Sequence, residues 1–297
     1  MNLSIANAPC SWGVEFADDP RNPPWTQVLD DARAAGYRGM ELGPVGFMPE
    51  DPAVLGPALA ERGLTLVGGV VFRPFHDPDQ WGDVLDAARR TCRALRAHGA
   101  RRLVLIDSIA TTRAPTAGRS DEAKRLDGVE LDAFLDRIRT VAKLGSDEFG
   151  LEVTFHAHAA GYVEFEDELT RVIDRIAPEH LGVCLDTGHS LYAGFDPVAF
   201  YRRHADRISY IHLKDIDPRV RERVIRDRIG FYETCAARLF CNLGEGFVDL
   251  PALRQALEAS GYRGWATVEQ DCDPTGSNSP VDDARVNLAY LQSVGLA

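Results

Sequence analysis

Leu181-Gly182-Val183-Cys184-Leu185-Asp186-Thr187-Gly188-His189 and, one helix length later, Ile208-Ser209-Tyr210-Ile211-His212-Leu213-Lys214-Asp215 share one layout. Each is a short, almost unbroken apolar run that ends on titratable side chains. Runs of this length, apolar on both faces, are the mark of buried strands in a parallel sheet. Polar groups gathered at the C-terminal ends of such strands are what a site at the open face of a (β/α) barrel requires.

Working outward, six further runs have strand character: Leu3–Ala6, Gly39–Leu42, Thr65–Val71, Arg102–Ile106, Glu152–His156 and Ala266–Glu269. Helical patterns fall between them, among others over Trp25–Ala35, Asp79–His98, Leu131–Phe149, Phe165–Ile176 and Leu250–Ser260. Strands alternating with helices predict a parallel sheet, and eight of them predict closure into a (β/α)₈ TIM barrel. A single barrel runs to about 250 residues. The 297 residues therefore read as one α/β domain spanning 1–297 with modest insertions. Gly36, Gly63, Gly99, Gly150 and Gly261 stand where helices should end, ready for a left-handed cap. Gly36-Tyr37-Arg38-Gly39 and Gly261-Tyr262-Arg263-Gly264 echo each other, each ahead of an acid, Glu41 and Glu269. Two long connections, Asp107–Gly128 and Lys214–Gly246, follow strand ends and belong on the active face. The second has a helical pattern near Val220–Ala237 and reads as a lid.

Hydrophobic residues at 45% and charged residues at 26% are ordinary for a soluble globular chain. The net charge of -12 argues against nucleic acid as a partner, since phosphate neutralisation needs clustered cations. No apolar run is long enough to span a membrane. The opening MNLSIANAPCSWG lacks a basic stretch before an apolar core, so a cytoplasmic location is expected. The six cysteines (Cys10, Cys92, Cys184, Cys235, Cys241 and Cys272) form no CxxC pair and read as reduced thiols.

The strand ends supply the chemistry. Asp186, His212 and Glu269 end three successive strands and form a candidate metal set. Mixed nitrogen and oxygen donors suit one divalent ion: Mn, Co, Zn or Fe. His156 is the candidate fourth ligand, and His158, of the same parity, a proton donor or acceptor. Glu152 shares that parity too, but lies too deep to join a metal at the rim. Lys214 and Glu269 complete the catalytic candidates. Trp12, Glu41, Arg73, His189 and Glu245 are the substrate-binding candidates: an aromatic for stacking, an arginine for hydroxyls, and polar groups at loop ends.

In order along the chain, Ala8-Pro9-Cys10-Ser11-Trp12-Gly13, Phe155-His156-Ala157-His158, Leu185-Asp186-Thr187-Gly188-His189, His212-Leu213-Lys214-Asp215 and Leu243-Gly244-Glu245-Gly246 resemble the xylose isomerase-like barrels. Within that superfamily of sugar phosphate isomerases and epimerases they are most similar to the inosose (2-keto-myo-inositol) dehydratase branch. The resemblance implies a metal held by a glutamate, an aspartate, a histidine and a second glutamate, the last three falling on Asp186, His212 and Glu269. The isomerases' other glutamate falls near His156, a departure that weakens an isomerase and leaves an elimination. The expected activity is a metal-dependent dehydration of a cyclic keto-polyol through an enolate, without an organic cofactor. The expected partner is a small keto-polyol or keto-sugar, with homo-oligomer formation left open. A keto-sugar isomerase or epimerase, or β-elimination from a 3-keto-glycoside, is the alternative on the same scaffold. A non-catalytic sugar-binding barrel ranks below these, and an apurinic endonuclease is disfavoured by the acidic balance.

Overall fold

The computed structural model describes residues 3–271 and 279–297, so Cys272 lies outside the described residues. Eight parallel strands close into a barrel. They are β1 (Ser4–Asn7), β2 (Gly39–Glu41), β3 (Thr65–Arg73), β4 (Arg102–Asp107), β5 (Glu152–His156), β6 (Gly182–Asp186), β7 (Ile208–Leu213) and, after the short hairpin β8 (Asp215–Ile216) and β9 (Phe240–Cys241), β10 (Trp265–Val268). β10 pairs with both β7 and β1 and completes the ring. Each run anticipated from sequence matches its strand to within two residues at either end.

The helices α1 (Trp25–Ala35), α3 (Trp81–Ala97), α4 (Gly128–Lys143), α5 (Glu166–Arg175) and α10 (Leu250–Ser260) fall on the predicted patterns. α4 runs on through a π-turn over Leu144–Glu148. The structure adds α2 (Pro52–Arg62), which carries an internal proline, the short α6 (Thr187–Tyr192) and α7 (Pro197–His204), and α11 (Pro280–Ser293). The five glycines anticipated at helix exits all have positive φ.

Between strands and helices lies the main core, with Leu105, Phe134, Ile138, Phe155, Ile173 and Ile211 among its members. Each such side chain, fully buried, contributes about 1.5–3 kcal/mol. Inside the barrel, Val104, Ile106, Cys184 and Tyr210 form a plug below the site. A third cluster, including Ala160, Tyr192, Ile216, Phe231 and Phe240, sits over the C-terminal face. It gives the connection after β7 a core of its own. That connection folds as α8 (Pro218–Arg226), α9 (Phe231–Ala236) and the β8/β9 hairpin, splitting the single helical pattern read from sequence. No disulfide joins the described cysteines. Among the described residues no helix is long and apolar enough to cross a membrane.

Candidate metal centre and substrate cavity

Alternation along each strand decides which groups meet. Thr154 and His156, Cys184 and Asp186, and Tyr210 and His212 face inward as pairs two residues apart, and Glu269 follows Thr267 in the same way. Register sets their height: His212 stands beside Asp186 on one side and Thr267 on the other. Ligand atoms of His156, Asp186, His212 and Glu269 consequently all lie within 4.8 Å of one another, and all four residues are buried. Glu152, at the other end of β5, pairs with Arg101 and Arg102 near the barrel floor.

The donor atoms here are short of partners. His156 Nδ1 and Nε2, Asp186 Oδ2 and His212 Nδ1 are buried without a hydrogen bond among the described residues. Asp186 Oδ1 caps α6 by accepting the His189 amide at 2.7 Å, which aims Oδ2 at His156 Nε2, 3.4 Å away. His212 Nε2 lies 3.0 Å from Glu41 Oε1, itself held by the Tyr210 hydroxyl at 2.7 Å. With His212 Nε2–H donating to Glu41, Nδ1 of the neutral ring is left as a lone pair facing Glu269 Oε1 at 3.2 Å. Buried polar atoms rarely go unsatisfied. A set of two imidazoles and two carboxylates with unused lone pairs is the donor set a divalent ion takes.

Lys214 is the cation of the site. Its ammonium lies 3.1 Å from Glu269 Oε2, 3.1 Å from Asp271 Oδ1 and 3.7 Å from Asp186 Oδ2, over the ring of Phe240. Burial disfavours its charge, but Asp271, Asp186 and Glu269 hold its pKa well above the usual lysine range. Burial likewise opposes ionisation of Asp271, yet Lys214 and His189 hold it down to about 2.

His158 and His189 pack ring to ring with centroids 4.1 Å apart. One residue fixes both: the Ala159 carbonyl accepts from His158 Nδ1 at 2.8 Å, and the Ala159 amide donates to His189 Nδ1 at 3.2 Å. A carbonyl only accepts, so His158 Nδ1 carries a proton and Nε2 of the neutral ring is an acceptor. His189 Nδ1 accepts the Ala159 amide, so the proton of the neutral ring sits on Nε2, where Asp271 Oδ2 at 3.7 Å is the acceptor within reach.

A cavity of about 460 Å³ opens over these groups. Glu41, His156, His158, Lys214 and Glu269 line it. Of the remaining candidates, Trp12 is buried in the core with its indole N–H on Asp31, and Arg73 turns its guanidinium to the Phe72 carbonyl; neither lines the cavity. Glu245 is exposed and also outside the lining. His189 is buried behind His158. The wall that sequence reasoning did not single out includes Glu15, Phe16, Phe72, Phe231 and Tyr232. Asp271, two residues past Glu269, stood out at a strand end, and Phe72 shares the parity of Val70 on β3; Phe16 and the Phe231–Tyr232 pair lie outside the barrel strands and carried no such signal.

A closed (β/α)₈ barrel with a buried histidine–carboxylate cluster at the C-terminal ends of its strands defines the class of this protein. The chain belongs to the Xylose isomerase-like TIM barrel family, which matches residues 29–294. It is 32% identical over 304 aligned positions to the rhizopine catabolism protein MocC of Rhizobium meliloti, covering 98% of this chain and 89% of that one. It is 28% identical to an inosose dehydratase of Geobacillus kaustophilus, covering 97% and 93%. Among solved structures, the IOLI protein with a bound zinc atom superposes with a TM-score of 0.73 at 14% identity, over 99% of this chain and 98% of that one.

Proposed function

We propose that this protein is a hydro-lyase that removes water from a cyclic keto-polyol of the inosose type, using one divalent ion (Mn, Co, Zn or Fe) held by His156, Asp186, His212 and Glu269. The observation that carries the reading is the inward pair on the β5 end: His156 within the donor cluster and His158 in the cavity wall beside it. Relatives that share the full length and are named inosose dehydratase support it. An ion in that cluster supplies Lewis acidity toward a carbonyl oxygen, easing loss of the proton on the adjacent carbon.

The protein's own groups do the rest. His158 Nε2 takes the α-proton, and the Ala159 carbonyl on Nδ1 stabilises the imidazolium that forms. Lys214 donates a proton to the β-hydroxyl, which leaves as water. A carbon–carbon double bond conjugated to the ketone remains. Asp271 and Glu269 hold the Lys214 ammonium within the cavity. Phe231, packed against His158, keeps bulk water off the transferring proton.

Mass spectrometry of the product formed from 2-keto-myo-inositol in deuterated water tests this. A product lighter than substrate by one water, before deuterium is counted, is expected. Return of every accepted keto-polyol at unchanged formula would replace the dehydratase with the isomerase or epimerase alternative.

A further inference from the structure

Glu41 ends β2, is fully buried and lines the cavity. Its two oxygens are not alike. Oε1 is held twice, by the Tyr210 hydroxyl at 2.7 Å and by His212 Nε2 at 3.0 Å. Oε2 is buried without a hydrogen bond among the described residues. The other such atoms at the site, on His156, Asp186 and His212, belong to the donor cluster, where an ion would satisfy them. Glu41 stands outside that cluster. A buried carboxylate oxygen without a partner is costly, so Oε2 is suited to a donor that arrives with the ligand.

The barrel's order says which part of the ligand that is. The donor cluster takes β5, β6, β7 and the end of β10. On the opposite half, the cavity-lining residues that lie on β1 to β4 are Glu41, Val70, Phe72 and Ile106, so Glu41 is the one polar group among them. Glu15, Asp19 and Arg21 line the cavity too, but from the connection before α1, where they are exposed or half-buried. Arg21 and Asp19 there pair with each other at 2.6 Å. A polyol ring that meets the ion along one edge therefore lays its far edge on an apolar wall with a single acceptor set in it.

We propose that Glu41 Oε2 is a hydroxyl selector: it accepts a hydrogen bond from one hydroxyl of the substrate ring, on the edge away from the donor cluster, and so requires a donor at that ring position. This rests on the proposed function for the ligand being a polyol; the selection itself is a binding property. Tyr210 and His212 hold the carboxylate from behind, which aims Oε2 before the ligand enters. A substituent that only accepts would set lone pair against lone pair, and a site built for a hydroxyl rejects an analogue that lacks it.

Calorimetry on the metal-loaded protein tests this with myo-inositol and analogues in which one hydroxyl at a time is replaced by fluorine or by an amino group. At one ring position fluorine should weaken binding by about 10–100-fold, while the amino group, a donor, binds at least as tightly as the hydroxyl. Glu41→Gln should erase this pattern at that position alone. Tyr210 and His212 both donate, so they keep the amide oxygen in the place of Oε1, and the amide nitrogen presents N–H where Oε2 presented a lone pair. The fluorine penalty there should fall below about threefold and the amino analogue should become the poorer ligand. Metal content, read by elemental analysis, should match the parent's, because His212 keeps its acceptor. A parent protein with no such position, or with no affinity for any inositol, overturns the selector without recourse to the variant, and that series alone decides if Glu41→Gln fails to fold or to hold metal. A pattern unchanged in metal-loaded Glu41→Gln overturns it as well. Turnover of 2-keto-myo-inositol is scored separately. Water loss with a flat analogue series leaves the dehydration standing, and a selective series without turnover keeps the selector and sinks the reaction.

Discussion

His212 has a carboxylate on each ring nitrogen, Glu41 on one side and Glu269 on the other. On the proposed ligand set only Glu269 can be a fellow ligand, because it faces Nδ1 while Glu41 meets the other nitrogen, Nε2. Glu41 then orients His212 rather than coordinating. Glu41→Ala should weaken divalent metal affinity by about 10–100-fold without removing a ligand, as read by titrating the metal-stripped protein. The two β5 histidines should separate by role. His156→Ala should lose metal content and rate together. His158→Ala should keep close to one equivalent of metal by elemental analysis and lose about 10²–10⁴-fold in kcat. Full metal occupancy in His156→Ala would remove it from the ligand set. These roles were half legible in the chain. His156, Asp186, His212 and Glu269 stood at strand ends, where parity and position single them out. Which of Glu41 and Glu269 would coordinate depends on ring orientation, and no spacing encodes that.

At the level of elements, two buried anchors hold the loops over the site. Asp215 accepts the amides of Gly244, Gly246, Val248 and Ile216, binding the Leu243–Gly246 motif to the β7 end. A side chain at Gly246 would begin 2.1 Å from Asp215 Oδ1 and 2.4 Å from the Ile216 carbonyl. Gly246→Ala should cost about 1–3 kcal/mol in chemical denaturation, because backbone is one of the atoms in the way. The glycine thus serves this packing, and its neighbour Glu245 points to solvent. The connection after β4 is fastened by Arg113, fully buried between Glu168 at 2.7 Å and Glu164 at 3.3 Å. Glu164 also accepts the Ala160 amide, and Ala160 is held at a left-handed φ of 63°. Arg113→Met leaves Glu164 without its cation and Glu168 with Arg125 alone, and should destabilise the protein by about 3–5 kcal/mol, measured the same way. The sequence placed this loop on the active face. Its anchoring was hidden, because Arg113 and Glu168 meet only after β4 and β5 pair.

For the whole molecule, the candidate metal cluster joins β5, β6, β7 and the residue after β10, half the barrel's circumference. An ion that binds only the folded arrangement stabilises the entire barrel by mass action. At a free concentration 100 times its Kd the gain is about 2.7 kcal/mol. Calorimetric scans with Mn²⁺ or Zn²⁺, against scans with a chelator, should show Tm higher by several degrees with the ion. The difference should vanish in Asp186→Ala. An unchanged Tm in the parent protein would speak against a resident ion.

The sequence by itself determined the barrel, because eight apolar runs separated by helix-sized amphipathic segments bury their surface in few other ways. It also determined the metal-ligand candidates, because a strand of known parity and end presents known side chains to the site. What the tertiary structure decided is everything that depends on loops meeting across the mouth. Trp12 and Arg73 turn away from the cavity, while Phe16, Phe72, Phe231 and Tyr232, scattered along the chain, come together around it. Periodicity fixes the inside of an element, where hydrogen bonds repeat; a loop side chain goes where its neighbours leave room, and those neighbours are distant in the chain.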